Sequence, residues 1–223
     1  MTAAPTPDTL KPEALKIDFI ADVVCPWCYI GWERLKQALA QRPGVPTEVL
    51  WRPFQLDPAI PEEGVDRAKY MAAKFPDPER RASALEVLDR EAASVGLSLK
   101  LSEIPVSPNT NAAHRVIRWA QTVGLQQQAL EAIMKAYFVE LRDIGDPVVL
   151  ADIAENIGME RHFVLKALAE GTDKDMVTRE HIQAHQAGVS GVPFTIFGGK
   201  IAISGADVTE RLCKAIDKAL EAA

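Results

Sequence analysis

The chain is poor in cysteine, and no apolar run in it approaches the length of a transmembrane helix. Three cysteines in 223 residues suit a reducing compartment, where a CxxC pair is read as catalytic before structural. Cations are in deficit: 25 Lys and Arg stand against 31 Asp and Glu, a net charge of −6. That balance argues against a nucleic acid or an anionic membrane as partner. No fixed repeat period runs through the chain, which speaks against a solenoid. The N-terminal residues 1–15, rich in Pro, Thr and Ala, have no basic segment followed by an apolar one. They predict a flexible leader rather than a secretory signal, and hence a cytoplasmic protein. What remains is ordinary soluble material, 48% hydrophobic and 25% charged, enough to bury a core.

The stretch that organises the rest is Cys25-Pro26-Trp27-Cys28. Lys16 to Val24 ahead of it is apolar and β-branched and reads as a buried strand. Tyr29, Ile30, Trp32, Leu35 and Leu39 behind it recur at helical spacing. The cysteines therefore sit where a strand passes into a helix, and Pro26 suits the first turn, where its missing N–H costs nothing. A thiol there faces unpaired N–H groups and the positive end of the helix dipole, which favour the thiolate at Cys25. Cys28 is close enough in sequence to resolve a mixed disulfide formed on Cys25. Two other readings of the pair are structural zinc and inert core thiols. Zinc would need further ligands. There is no second CxxC, and the His181–His185 pair lies far outside finger spacing and lacks the Glu of a zincin motif.

Beyond the first helix, Thr47 to Phe54 predicts a second strand, with Pro53 placing it at an edge or an end. From about Pro58 to Gly188 almost every periodic segment is helical. Helices are expected over Val65–Phe75, from Asp77 to Gly96, from Asn109 to Gly124, over Gln126–Leu141, from Asp146 to Gly158 and over Glu160–Ala169. Another runs from Thr172 or Asp173 to about Ala187. Two strands joined by Gly198-Gly199 then read as an antiparallel hairpin, and a last helix covers about Ala206 to Leu220. The order β-α-β, helical block, β-β-α predicts an α/β protein. It has a mixed four-stranded sheet (16–57 and 172–223) and a large all-α insertion (58–171).

This order resembles the thioredoxin fold. The segments Asp22 to Gly31, Pro108-Asn109-Thr110 with Ala113-His114-Arg115, Gly188 to Phe194, and Ile203 to Ala206 resemble the DsbA family of disulfide oxidoreductases, in its FrnE-like cytoplasmic branch. The same superfamily holds hydroxychromene-carboxylate isomerases and kappa-class glutathione transferases, in which a serine commonly replaces the first cysteine. The resemblance implies a catalytic Cys25 and Cys28, a cis Pro193 facing them, and substrate contacts from Pro26, Trp27, Val192, Pro193, Asn109 and His114. It implies no metal and no bound cofactor, with glutathione as a candidate reductant or co-substrate. Protein or small-molecule thiols and disulfides are the expected partners of a monomer or homodimer. One departure stands out: the carboxylate that such proteins often carry six residues before the first cysteine is Phe19 here. Asp22 is the nearest acid and is read as a solvated carboxylate at a strand end, with proton acceptor as the alternative.

Elsewhere, His114 is either a cleft residue or a satisfied packing histidine. His181 and His185 are read on a solvated helix face, Trp51 and Trp119 in the core, and Cys213 as a buried inert thiol. Three functions follow. One is thiol–disulfide exchange by the dithiol. A second is glutathione-dependent isomerisation or transfer on an aromatic or polyketide-like molecule, for which the insertion would roof a pocket. The third is a zinc-stabilised module.

Overall fold

The computed structural model describes residues 14–222. Most of the expected leader lies outside them, but Leu15 does not belong to it: it is buried and opens the first strand. That strand, β1 (Leu15–Ala21), alternates until its end, where three successive residues are buried. It is central because both its edges are paired. On one side β2 (Thr47–Pro53) runs parallel, with Phe19 opposite Trp51. On the other, β5 (Phe194–Phe197) runs antiparallel, with Phe19 opposite Thr195. The strand β6 (Ile201–Ser204) closes the hairpin after Gly198 and Gly199, both at positive φ, so the order is β2-β1-β5-β6. Pro53 thus ends an edge strand, where its missing N–H removes no ladder bond.

The helix α1 (Pro26–Ala40) crosses between β1 and β2 and buries Ile30, Trp32 and Leu35. It packs on the last helix, α9 (Thr209–Glu221), which buries Leu212, Cys213 and Ile216. Phe19 meets the rings of Trp32 and Trp51 at 5.5 and 5.7 Å, joining helix and sheet in one core.

Between β2 and β5 the chain is mostly helical, with one exception. Val65–Asp66 (β3) and Val106–Ser107 (β4) form a two-residue antiparallel ladder, so the insertion is not purely α. The ladder packs on α2 (Arg67–Lys74) and closes the segment that carries α2 and α3 (Pro78–Ser94). Asp66 and Asp77 cap these by accepting from backbone N–H groups of the first turn, as their N-cap positions favour. The remaining helices are α4 (Asn111–Thr122), α5 (Gln126–Phe138), α6 (Pro147–Asn156), α7 (Arg161–Ala169) and α8 (Lys174–Gln186). α4 and α5 are packed inside the molecule, and Trp51 and Trp119 are buried as expected. Asp173, one of the two expected starts of α8, is its N-cap residue, but it stands at φ 60° and its side chain accepts from the Trp119 indole rather than from the first turn.

Candidate active site

The strand β1 ends one residue before Asp22, and the turn that follows delivers Cys25 to the N-cap of α1. The Cys25 N–H donates to the Asp22 carbonyl at 3.1 Å, and the Cys25 carbonyl accepts from the N–H groups of Cys28 and Tyr29. Pro26 occupies the first helical position. Both cysteines are free thiols, but they are not equivalent. Cys25, 5% exposed, reaches the wall of a cavity of about 680 Å³. Cys28 is closed beneath it and does not touch the cavity. Burial pushes the Cys28 thiol well above its ordinary pKa, and the neighbouring Cys25 sulfur adds to that.

The Val192–Pro193 peptide is cis. It is the Val192 carbonyl that faces the dithiol, accepting from Cys25 Sγ at 3.7 Å. Pro193 is buried and is turned to α1 instead, so that a Cβ on Gly31 would stand 2.9 Å from Pro193 Cγ. Gly31 is what lets the two segments approach. Pro26, Trp27 and Val192 line the cavity, and Trp27 is half-buried there.

Asn109 and His114 do not reach that wall. Asn109 is consumed by the backbone around it: its amide donates to the Ile60 carbonyl and its oxygen accepts from the Asn111 N–H. His114 lies beneath the site with no exposed side-chain surface. Its Nδ1 accepts from the Trp51 indole at 3.3 Å, since an indole N–H can only donate. The ring proton is therefore on Nε2, which sits 3.2 Å from Asp22 Oδ1 and 3.1 Å from the Phe54 carbonyl.

That contact overturns the reading of Asp22 as a solvated carboxylate. It is 1% exposed, and its second oxygen accepts from the Leu56 N–H at 2.8 Å. Asp22 acts on Cys28 in two opposing ways: a hydrogen bond to its backbone favours loss of the proton, and its charge, a smaller effect, opposes it. A similar correction applies to His181. It turns inward against Phe54, accepts from the Gln55 N–H at 3.1 Å, and is held below its usual pKa chiefly by burial and then by His185. His185 stays exposed, one face on Phe54. Cys213 is buried as expected, its thiol against the Ala38 carbonyl.

Sequence reasoning missed the rest of the cavity wall. Tyr70, Met71, Leu85 and Leu88 come from α2 and α3, and Tyr137 from α5. The signal was present in α2 and α3, whose apolar residues recur at helical spacing, but their period alone does not say what they face. Tyr137 is pushed up to about 12 by burial and accepts from the Arg67 guanidinium at 2.9 Å.

Residues 16–217 match the model of the DsbA-like thioredoxin domain. The chain belongs to that family. It is 28% identical to a probable DsbA oxidoreductase from Streptomyces coelicolor, with 93% of this chain and 90% of that one covered at a TM-score of 0.84. Two further solved structures share the fold. A 2-hydroxychromene-2-carboxylate isomerase is 21% identical over 93% and 97% of the chains, with a TM-score of 0.65. The cytosolic disulfide reductase DsbM from Pseudomonas aeruginosa with GSH is 18% identical over 93% and 98%, with a TM-score of 0.63. Among the described residues no helix is long and apolar enough to cross a membrane.

Proposed function

We propose that this DsbA-like protein exchanges disulfides through Cys25 and Cys28. One observation carries the reading: Cys25 opens onto a cavity while Cys28 is sealed below it beside a buried carboxylate. Cys25, its proton given up to solvent, attacks one sulfur of a substrate disulfide, and the other sulfur leaves as a thiolate that takes a proton from solvent. Cys28, held as a thiol by burial, then attacks Cys25 Sγ and releases the second substrate sulfur. Its proton passes to Asp22 and on to a departing thiolate. In sum, the dithiol becomes a disulfide and the substrate disulfide becomes two thiols. The reverse direction oxidises a substrate dithiol.

Asp22 suits the acceptor's role because His114 and the Leu56 N–H hold its carboxylate in place without consuming all its lone pairs. The substrates are protein or small-molecule disulfides. A thiol such as glutathione restores the dithiol, a role supported by the chain's likeness to a reductase whose structure contains GSH. The same likeness supports a cytoplasmic protein; membership of the FrnE-like branch and a monomeric or homodimeric state belong to the proposal. Pro26, Trp27 and Val192 contact the substrate from the cavity wall, and Pro193 supports the Val192 carbonyl from behind.

The test is trapping. A Cys28→Ser variant holds its substrate as a mixed disulfide on Cys25, and mass spectrometry of the reduced eluate names it. Adducts on Cys213 in place of Cys25 would end this reading. The size of the cavity favours a second one, glutathione-dependent isomerisation or transfer on an aromatic molecule. An isomerase would survive Cys25→Ser, whereas dithiol exchange would not.

A further inference from the structure

The helices α2 and α3 are unusual in what they fail to bury. α2 buries no residue and α3 buries only Ala92. Yet both carry an apolar face: Tyr70, Met71 and Phe75 on one, Ala84, Leu85 and Leu88 on the other. All six line the cavity above Cys25. The apolar faces of this roof are thus turned to the cavity, and its volume, about 680 Å³, falls within the range of small-ligand sites.

The charges on the wall are unevenly matched. Its three carboxylates are all engaged. Asp22 accepts from His114 and the Leu56 N–H, Asp57 from the Tyr70 hydroxyl and the Ala59 N–H, and Asp77 from two N–H groups of α3 and from Arg80. Three of the four cations have only neutral oxygens. Arg67 donates to Tyr137 and Ser107, Lys74 to the Tyr70 hydroxyl, and Arg81 to the Phe75 carbonyl. None of them has a carboxylate partner among the described residues. Arg67 and Lys74 also lie over the rings of Tyr137 and Tyr70.

We infer that the cavity binds a small thiol or disulfide with an apolar, ring-bearing body and a carboxylate. The body would lie against the faces of α2 and α3, and the carboxylate would meet Lys74 or Arg81 at its rim. The sulfur would be presented to Cys25. This rests on the exchange reading above and adds a substrate class to it. A roofed, apolar chamber fits a small molecule better than the edge of a folded protein.

The probes are dithiobis-nitrobenzoate, an aromatic disulfide with carboxylates, the uncharged dithiodipyridine, and insulin. With the first, Cys25 attacks, one thionitrobenzoate leaves, Cys28 displaces the second, and the protein ends as the Cys25–Cys28 disulfide. Stopped-flow rates are compared for the full chain in a Cys213→Ser background. In Lys74→Gln/Arg81→Gln, the ratio of the nitrobenzoate rate to the dipyridine rate should fall about fivefold. Added salt should lower the same ratio in the parent. A change in the reactivity of Cys25 itself would move both rates together and leave the ratio unaltered. In Leu85→Ala/Leu88→Ala, both aromatic rates should fall relative to hydroxyethyl disulfide. An unchanged ratio in the charge variant overturns the inference, as does insulin reduction faster than any small disulfide. Failure of every probe to oxidise the dithiol would instead defeat the exchange reading itself.

Discussion

His114 Nε2 stands 3.2 Å from Asp22 Oδ1, and both side chains are closed to solvent beneath Cys25 and Cys28. Trp51 fixes the direction of that contact by donating to the other ring nitrogen. In the exchange proposed above, this buried carboxylate, held by the donors of His114 and Leu56, is the group that takes the Cys28 proton.

Asp22→Asn separates these roles. Alkylation of Cys25 by iodoacetamide should change little. Resolution of a preformed mixed disulfide on Cys25 should slow on the order of a hundredfold, the usual scale for loss of a general base. Quenched-flow mass spectrometry follows the mixed disulfide. If the negative charge did no more than hold the Cys28 proton in place, the variant would resolve faster, and the acceptor role would fail.

Stability of the reduced protein should depend on pH through Cys28. Burial raises the folded thiol well above the ordinary value of about 9, so between that value and the folded one the unfolded chain has lost a proton that the folded one keeps. The contribution is complete below pH 9 and is lost as pH rises through the folded value. The slope is at most about 1.4 kcal/mol per pH unit. Urea denaturation between pH 8.5 and 10 measures it. The Cys28→Ala variant and the oxidised protein should both have a shallower slope, keeping only what Tyr29 and Tyr137, also raised by burial, add as the unfolded chain ionises toward pH 10.

Gly31→Ala tests the fit of α1 against the loop that faces Cys25. The added Cβ would stand 2.9 Å from Pro193 Cγ and 3.4 Å from Ala206 Cβ. Overpacking costs about 1–3 kcal/mol, against the roughly 1 kcal/mol that Ala gains over Gly in a helix. A net loss of stability is expected, together with slower exchange as the Val192 carbonyl shifts. A variant as stable and active as the parent would show that the loop yields freely.

Arg34 ties the roof to the body. Its guanidinium, nearly buried, donates to the Ala206 carbonyl and to Glu91 near the end of α3. Arg34→Met keeps the apolar stem but leaves that carbonyl and carboxylate without their donor, at a cost of about 1–3 kcal/mol. Limited proteolysis should then cut within α3 sooner than in the parent. Cleavage elsewhere first would mean that α3 is held by other contacts.

Much of the scaffold was legible from local pattern. The apolar stretch before Cys25, Pro26 at the first helical position, Asp77 and Asp146 as caps, and glycines at helix ends each act within a few residues, and each stands where expected. The element order followed from periodicity, and so did the four-stranded sheet. The two-residue strands β3 and β4 escaped, because a single pair of ladder residues leaves no period to read.

The dithiol, its strand-to-helix setting and the family resemblance, which the match over residues 16–217 bears out, were all present in the order of the residues. What surrounds the dithiol came from packing. Asp22 reads as an exposed acid until Leu56, 34 residues on, and His114, 92 residues on, close over it. Asn109 reads as a cleft residue, and His114 as either a cleft or a packing residue, until their polar atoms are counted and found occupied. His181 reads as a surface residue until its helix is seen against Phe54. The physical reason is common to all three. Helical and strand periods record which face of an element is apolar, and that is a local property. Whether a polar side chain on that element meets water or a buried partner depends on chain segments far away in sequence, which only the packed fold brings together.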